Sequence, residues 1–508
     1  MVPVTLSKLN NGIRVTYSGL ISFAVGITSV LTGIIFTLIV TRTLSPEDFG
    51  TWNLIGGLIT YVLVVEPIIS YWATREIARG LESGRTAVLS SGIFSIGGTL
   101  VYLLIAYSLA THLHANQSIL LFAAILVPVM FLNKTLTAVN LGWKPQSSSY
   151  GILCFEISKI PAALIFVYFL HMGIFGAIIS TCVAYVASIA ILLFYARDKI
   201  RSKIKMEFLK KWIKLSWLSI YPGISVVVYH LDVVIFSAMT GSVVGLAFYS
   251  VSQTISNVVG NSSLISQAVY SKLLESGKRE HLQENLVRFF YFAFPLAALS
   301  IVFARPALFA LNPIYEIAVP AVIFMTIRAF LYVLGGIFSQ ALLGIETVDI
   351  NEQSRFRDFV KSKLFFVPTV ILIQYTSYVI ALTVGLLLLK SIITSNIDFV
   401  NYWTAISLVT QIPFTLYFYL KVRKHFTLSG NRYVLFKYLI SSIASFGMIY
   451  FLLTYFLSYK RSIFEFIPSL LLFVGTGIGA YLVITYLIDT KTRDLFKSII
   501  REIQGKSS

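Results

Sequence analysis

Fourteen apolar stretches of roughly 20 to 28 residues, separated by short basic connections, run almost from end to end of this chain, and each is long enough to cross a hydrocarbon core about 30 Å thick. Inside lipid a backbone N–H or C=O finds no water, so each stretch must satisfy its own hydrogen bonds as a helix. A barrel would show strands of about 10 residues with alternating polarity instead. The fold class read from the sequence is therefore all-α: a polytopic membrane protein with about 14 transmembrane helices. Composition agrees, because 57% hydrophobic and 12% charged residues in a 508-residue chain would leave more apolar surface than one soluble core could hide.

The spans read as 16–41, 50–72, 87–110, 118–141, 149–170, 173–196, 212–238, 242–266, 286–309, 317–342, 364–389, 398–420, 434–458 and 464–488. The chain also repeats itself weakly. Phe49-Gly50-Thr51-Trp52 follows the first span and Val244-Gly245-Leu246-Ala247-Phe248-Tyr249 follows the seventh; Thr137 to Gly142 ends the fourth and Ser339 to Gly344 the tenth. Both pairs are offset by six helices, as two parallel six-helix lobes require. The organisation expected is an N-lobe at 1–196, a basic linker at 197–211, a C-lobe at 212–421, and helices 13–14 with a basic tail at 422–508.

Charge orients the bundle. With both termini placed in the cytoplasm, roughly 32 of the 40 Lys and Arg fall on the inner side, against about five outside, namely Arg42, Arg305, Lys390, Lys460 and Arg461. The net charge of +18 is thus explained by membrane-proximal cations such as Arg197, Lys199, Arg201, Lys203, Lys205, Lys210 and Lys211 anchoring to anionic headgroups, and no groove-reading motif points to nucleic acid. The localisation expected is the cell membrane, multi-pass. Cys154 and Cys182 fall within spans, where a free thiol acts as a small apolar residue, and no disulfide is expected. The segment before Thr16 lacks a cleavable signal, so the first helix reads as a signal anchor.

The longest connections, near 267–285 and 343–363, are about 20 residues and too short to fold as catalytic domains. The chain has no HExxH, CxxC, Walker glycine loop, Ser/His/Asp order or acidic DxD pair at a membrane edge, which leaves an enzyme the minority reading. No cofactor motif is present.

Leu44-Ser45-Pro46-Glu47-Asp48-Phe49-Gly50, Ala73-Thr74-Arg75-Glu76-Ile77-Ala78, Asp232 followed by Val244-Gly245 and Tyr249, and Tyr315 occur in the order seen in a known family. Taken with the 14-span pattern, the set resembles the polysaccharide exporters (O-antigen flippases) of the multidrug/oligosaccharidyl-lipid/polysaccharide (MOP) superfamily. The resemblance implies a flippase that turns a lipid-linked oligosaccharide, carried on a polyprenyl or dolichyl (pyro)phosphate, from the inner to the outer leaflet. It implies membrane lipids and glycan-assembly enzymes as partners; two lobes in one chain make a functional monomer sufficient in principle. Such a function asks two lobes to enclose a polar route opening to each side in turn.

Charges at membrane depth are expensive, about 2.5–3.5 kcal/mol on insertion scales, so each is a candidate for function. Arg42, Lys134, Lys159 and Arg328 are the phosphate-binding candidates, and Arg75, at the inner end of the second span, is placed to meet a lipid phosphate. Each has a second reading. Arg42 could snorkel, Arg75 and Glu76 could form a gate salt bridge or a helix-end contact with Arg75 snorkelling, Lys159 could pair with Glu156 three residues earlier on the same face, and Arg328, with no acid within four residues, needs a partner on another helix or a ligand. Glu66, beside the helix-kinking Pro67, and Asp232 are candidates for binding Na⁺ or a proton or for a gating salt bridge, as is Glu156; His230 lies two residues from Asp232 on a different face. Asn116-Gln117-Ser118 is a glycosylation sequon in an outer loop, whereas the sequons at Asn133 and Asn261 fall in membrane. Two alternatives to the flippase stand: a cation-coupled drug or small-molecule exporter of the same superfamily, and a membrane enzyme of glycan assembly.

Overall fold

The computed structural model describes residues 15–113, 116–201, 203–260, 262, 280–344, 346, 360–392, 395–426, 432–490 and 493. The N-terminal segment before residue 15, the sequon at Asn261, most of the two long connections and the end of the basic tail lie outside these residues. Among the described residues the chain is helical, with no strand. Among the described residues twelve helices are long and apolar enough to cross a membrane, and the first and eighth stretches of the sequence are helical over Val15–Thr43 and Val244–Gly260. The chain is a multi-pass membrane protein.

In chain order the helices are α1 Val15–Thr43, α2 Pro46–Val62, α3 Pro67–Ala78, α4 Gly84–Leu113, α5 Gln117–Phe122, α6 Leu126–Trp143, α7 Pro145–Ala163, α8 Gly173–Ile200, α9 Met206–Lys214, α10 Ser216–Thr240 and α11 Val244–Gly260. There follow α12 Glu280–Val302, α13 Ala304–Leu311, α14 Val319–Gly344, α15 Lys363–Leu389, α16 Asn396–Arg423, α17 Arg432–Phe456 and α18 Ile463–Ile488. Local chemistry sets the boundaries. Ser45 caps α2 by accepting from the Asp48 N–H at 3.1 Å, Pro46 takes a position whose missing N–H costs nothing, and Glu47 and Asp48 meet the helix dipole. The second span is interrupted where Pro67 withholds its N–H: Leu63–Val65 tighten to a 3₁₀ turn and α3 restarts at the proline. The fifth span loosens after Pro161 to a π turn at Leu164–Phe169. It then reverses through His171 and Gly173, both in the left-handed region (φ 51° and 57°).

Two compact units divide the chain, Met1–Val227 and Val228–Ser508. In the first, α3 packs on α6, α4 and α8 on α6, and α7 on α8. In the second, α11 packs on α14, α12 and α16 on α14, and α15 on α16. Counted as membrane spans, these four contacts of the first unit recur six spans later in the second. Two of the glycines that marked the repeat, Gly142 and Gly245, are explained by packing. A Cβ on Gly142 would lie 2.6 Å from the Thr74 carbonyl oxygen of α3, and one on Gly245 would collide with the Phe236 ring. The last two helices join the second unit through α12: Tyr481 donates to the Tyr291 carbonyl at 2.7 Å, within a core that includes Tyr438, Phe446 and Phe466.

The basic stretch after α8 does not run free. Met206–Lys214 forms the amphipathic helix α9, which inserts Trp212, fully buried, among Ile69, Ala73, Ile77, Leu136 and Leu192 of the first unit.

Candidate functional site

In the first unit the second span breaks at Glu66, and the break turns this side chain into the protein, where it is 4% exposed. One carboxylate oxygen accepts from Ser70 Oγ at 3.0 Å, one helical turn on. The other, Oε1, is buried with no geometrically aligned hydrogen-bond partner among the described residues, and the Thr135 hydroxyl of α6 also acts on this carboxylate. Lys134, next along α6, is the charged group acting on Glu66, and its own side chain is exposed. The neighbouring Asn133 is tied to Ser188 of α8 at 2.8 Å.

Glu156 and Lys159 make an ion pair of 2.7 Å, with both side chains close to a tenth exposed. The carboxylate also accepts from Ser29 at 2.7 Å and Thr32 at 2.6 Å, both on α1, while the ammonium lies over the rings of Phe36 and Phe155. The pair is therefore charge-balanced and hydrogen-bonded, as a buried pair must be to persist.

The second unit holds a larger cluster. Asp232, 1% exposed, accepts from its neighbour's Val233 N–H at 2.8 Å and from the Tyr378 hydroxyl of α15 at 2.7 Å. Tyr378 in turn receives the Trp403 indole N–H of α16 at 2.6 Å, and Trp403 stacks on Tyr249 at 3.7 Å and on Phe236 at 4.5 Å. The Tyr249 and Tyr229 hydroxyls are 3.2 Å apart. Arg328 of α14 places its guanidinium 5.1 Å over the Tyr229 ring, in electrostatic reach of Asp232, Tyr249, Tyr375 and Tyr378. Arg328 thus finds on other helices the partners that its own helix lacks, and His230 sits edge-on to the same Tyr229 ring at 5.2 Å.

The remaining candidates lie apart from these clusters. Arg42 is half-buried in the last turn of α1, and Arg75 is exposed with its guanidinium 4.3 Å over Tyr71. Its neighbour Glu76, 2% exposed, accepts from Lys211 Nζ at 3.0 Å and Trp212 Nε1 at 3.2 Å, so this acid clasps α9. Asn116 is exposed and caps α5 by accepting from the Ser118 N–H at 3.1 Å. Ser29 and Thr32, like Tyr378 and Trp403, are not among the residues that the sequence nominates. A signal exists for the last: a tryptophan in mid-span needs a partner for its N–H.

This order of helices, with its six-span repeat in packing, is shared by solved membrane proteins. Among solved structures, the lipid II flippase MurJ in an inward closed conformation matches 95% of this chain and 100% of its own at 15% identity, with a TM-score of 0.64. An inward-facing multidrug-resistance MATE transporter of the MOP superfamily matches 80% of this chain and 98% of its own (14% identity, TM-score 0.58). A MOP superfamily transporter from Pyrococcus furiosus, for which a binding pocket of reverse polarity suggests a different function, matches 81% and 95% (14%, 0.52). The chain has the fold of the MOP transporters. No protein-family model matches the sequence, and no curated protein matches it.

Proposed function

We propose that this chain flips a lipid-linked oligosaccharide, carried on a polyprenyl or dolichyl (pyro)phosphate, from the cytoplasmic to the outer leaflet by alternating access, for assembly of a cell-surface polysaccharide or glycoprotein. The observation that carries the reading is Lys134, an exposed lysine well inside the apolar span Gln117–Trp143. An ammonium at that depth costs about 2.5–3.5 kcal/mol, a cost that a passing phosphate offsets with a charge-assisted hydrogen bond. Arg328 is the second phosphate contact, and the tyrosines around it offer hydroxyls and ring faces suited to sugar. Arg75 receives the lipid phosphate at the membrane edge. The fold match supports the same side: it takes in 95% of this chain for the flippase, against 80% and 81% for the other two transporters.

One observation favours the other transport reading. The buried, unpartnered Oε1 of Glu66 is the kind of group a cation-coupled exporter of small molecules would use to bind its ion or a cationic substrate.

Purified protein in liposomes, given a fluorescent lipid-linked oligosaccharide and a membrane-impermeant quencher, separates the two. The wild type should accelerate loss of the protected fraction, and Lys134→Ala should slow it by about tenfold, the loss of ~1.4 kcal/mol of phosphate contact. A wild type that flips nothing yet binds cationic drugs in a Glu66-dependent way would replace the flippase with the exporter.

A further inference from the structure

Near the end of the first unit the chain passes through Arg197 to Lys214, a stretch of 18 residues with eight Lys or Arg (Arg197, Lys199, Arg201, Lys203, Lys205, Lys210, Lys211, Lys214) against two acids, Asp198 and Glu207. Its helix α9 packs against α3 and α4, close to where the first ends at Ala78 and the second begins at Gly84, and so lies at one membrane end of the first unit. Three devices hold it there. Trp212 is fully buried with its N–H on Glu76, Lys211 shares the same carboxylate, and the Lys205 backbone N–H donates to Thr86 Oγ1 at 3.0 Å.

The face turned away from the protein mixes two chemistries. Met206, Lys210 and Lys214 follow one another at i, i+4 and i+8, all exposed, and Ile213 beside them is 51% exposed. Lys203 and Ile204, just before the helix, are exposed too, as is Trp217 just after it. A face meant only for water has no use for Met206, Ile213 and Trp217. A face meant only for acyl chains has no use for three lysines. Apolar groups and lysines side by side on a helix pinned at the membrane end fit the headgroup boundary, where aliphatic tips enter the acyl region and ammonium groups reach phosphate.

We infer that α9 and its flanks are a docking surface for anionic phospholipid, with Lys203, Lys210 and Lys214 on the headgroup phosphates and Met206, Ile213 and Trp217 in the acyl boundary. Charge complementarity selects this occupant: a basic cluster beside a transmembrane helix gains about a factor of five for each lysine near an anionic surface. The inference stands independently of what the protein transports.

The test uses the full-length protein purified in an uncharged detergent and mixed with equal amounts of phosphatidylglycerol and phosphatidylcholine. The retained lipids are counted by native mass spectrometry. The wild type should prefer phosphatidylglycerol. K203Q/K210Q/K214Q should weaken that preference, by up to on the order of 100-fold for three lysines, while K203R/K210R/K214R keeps it. Equal retention of both lipids by the wild type would overturn the inference. So would an unchanged preference in the glutamine variant, or a loss that instead follows Arg423→Gln and Lys424→Gln at the end of α16.

Discussion

Both units tie their first membrane helix to their fifth through a buried carboxylate, and they balance its charge in opposite ways. In the first, Glu156 on α7 receives two hydroxyls from α1 and is neutralised by Lys159, one turn along its own helix. In the second, the carboxylate sits on the first helix instead, as Asp232 of α10, reaches Tyr378 of α15, and has Arg328 of a third helix as its cation. The first arrangement is complete before the helices pack, apart from two hydroxyls. The second exists only once α10, α14, α15 and α16 have come together. A local ion pair is thus a property of a helix, and the distributed cluster is a property of the lobe.

That difference has consequences for stability, read by thermal unfolding of the purified protein. Asp232→Ala should be the most damaging change, about 3–5 kcal/mol, because it leaves the Arg328 charge without its acid and strands the Tyr378 hydroxyl. If it proves as mild as a surface substitution, Asp232 is no organising centre and the contrast fails. Next, Glu156→Ala should cost about 3 kcal/mol, but the pair Glu156→Gln/Lys159→Met should recover most of it, since removing both partners of a local pair leaves little uncompensated. The matching pair Asp232→Leu/Arg328→Met should recover less, because the Tyr378 hydroxyl then loses its acceptor while it still receives the Trp403 N–H. Equal recovery in both units would show that the two clusters are energetically alike. The smallest effects sharpen the picture: Tyr378→Phe should cost about 1–3 kcal/mol by removing the donor to Asp232 Oδ2 and the acceptor of the Trp403 N–H, whereas Ser29→Ala, with Thr32 still donating, should cost about 1 kcal/mol. The reverse ranking would place the greater hydrogen-bond dependence in the first unit.

The same distinction separates what is legible in the sequence from what is not. The helical spans are legible because length and apolar character are local and lipid leaves no alternative. So are the break at Pro67 and the Glu156–Lys159 pairing, each set by residues within one turn. Asp232 and Arg328 stand out as charges that need partners, but their partners lie 146 residues from Asp232 in the case of Tyr378 and on three other helices in the case of Arg328. No periodicity encodes such a meeting. The partners of Glu76 are hidden for the same reason: Lys211 and Trp212 come from a stretch whose charge dominates its reading, and only the packing of Trp212 shows that the stretch is docked.

The Glu156–Lys159 pair has an electrical consequence. A membrane potential does work on any net charge displaced across it, about 2.3 kcal/mol per elementary charge per 100 mV. Because the carboxylate and the ammonium are held 2.7 Å apart on one helix, they move as a unit that sums to zero. Any travel of α7 along the membrane normal therefore draws nothing from the field through this pair, and α1, bonded to it through Ser29 and Thr32, is carried without voltage dependence from that source. Lys134, one helix away, has its acid, Glu66, on a different helix segment rather than on its own, so a voltage-sensitive step in the first unit should be sought there.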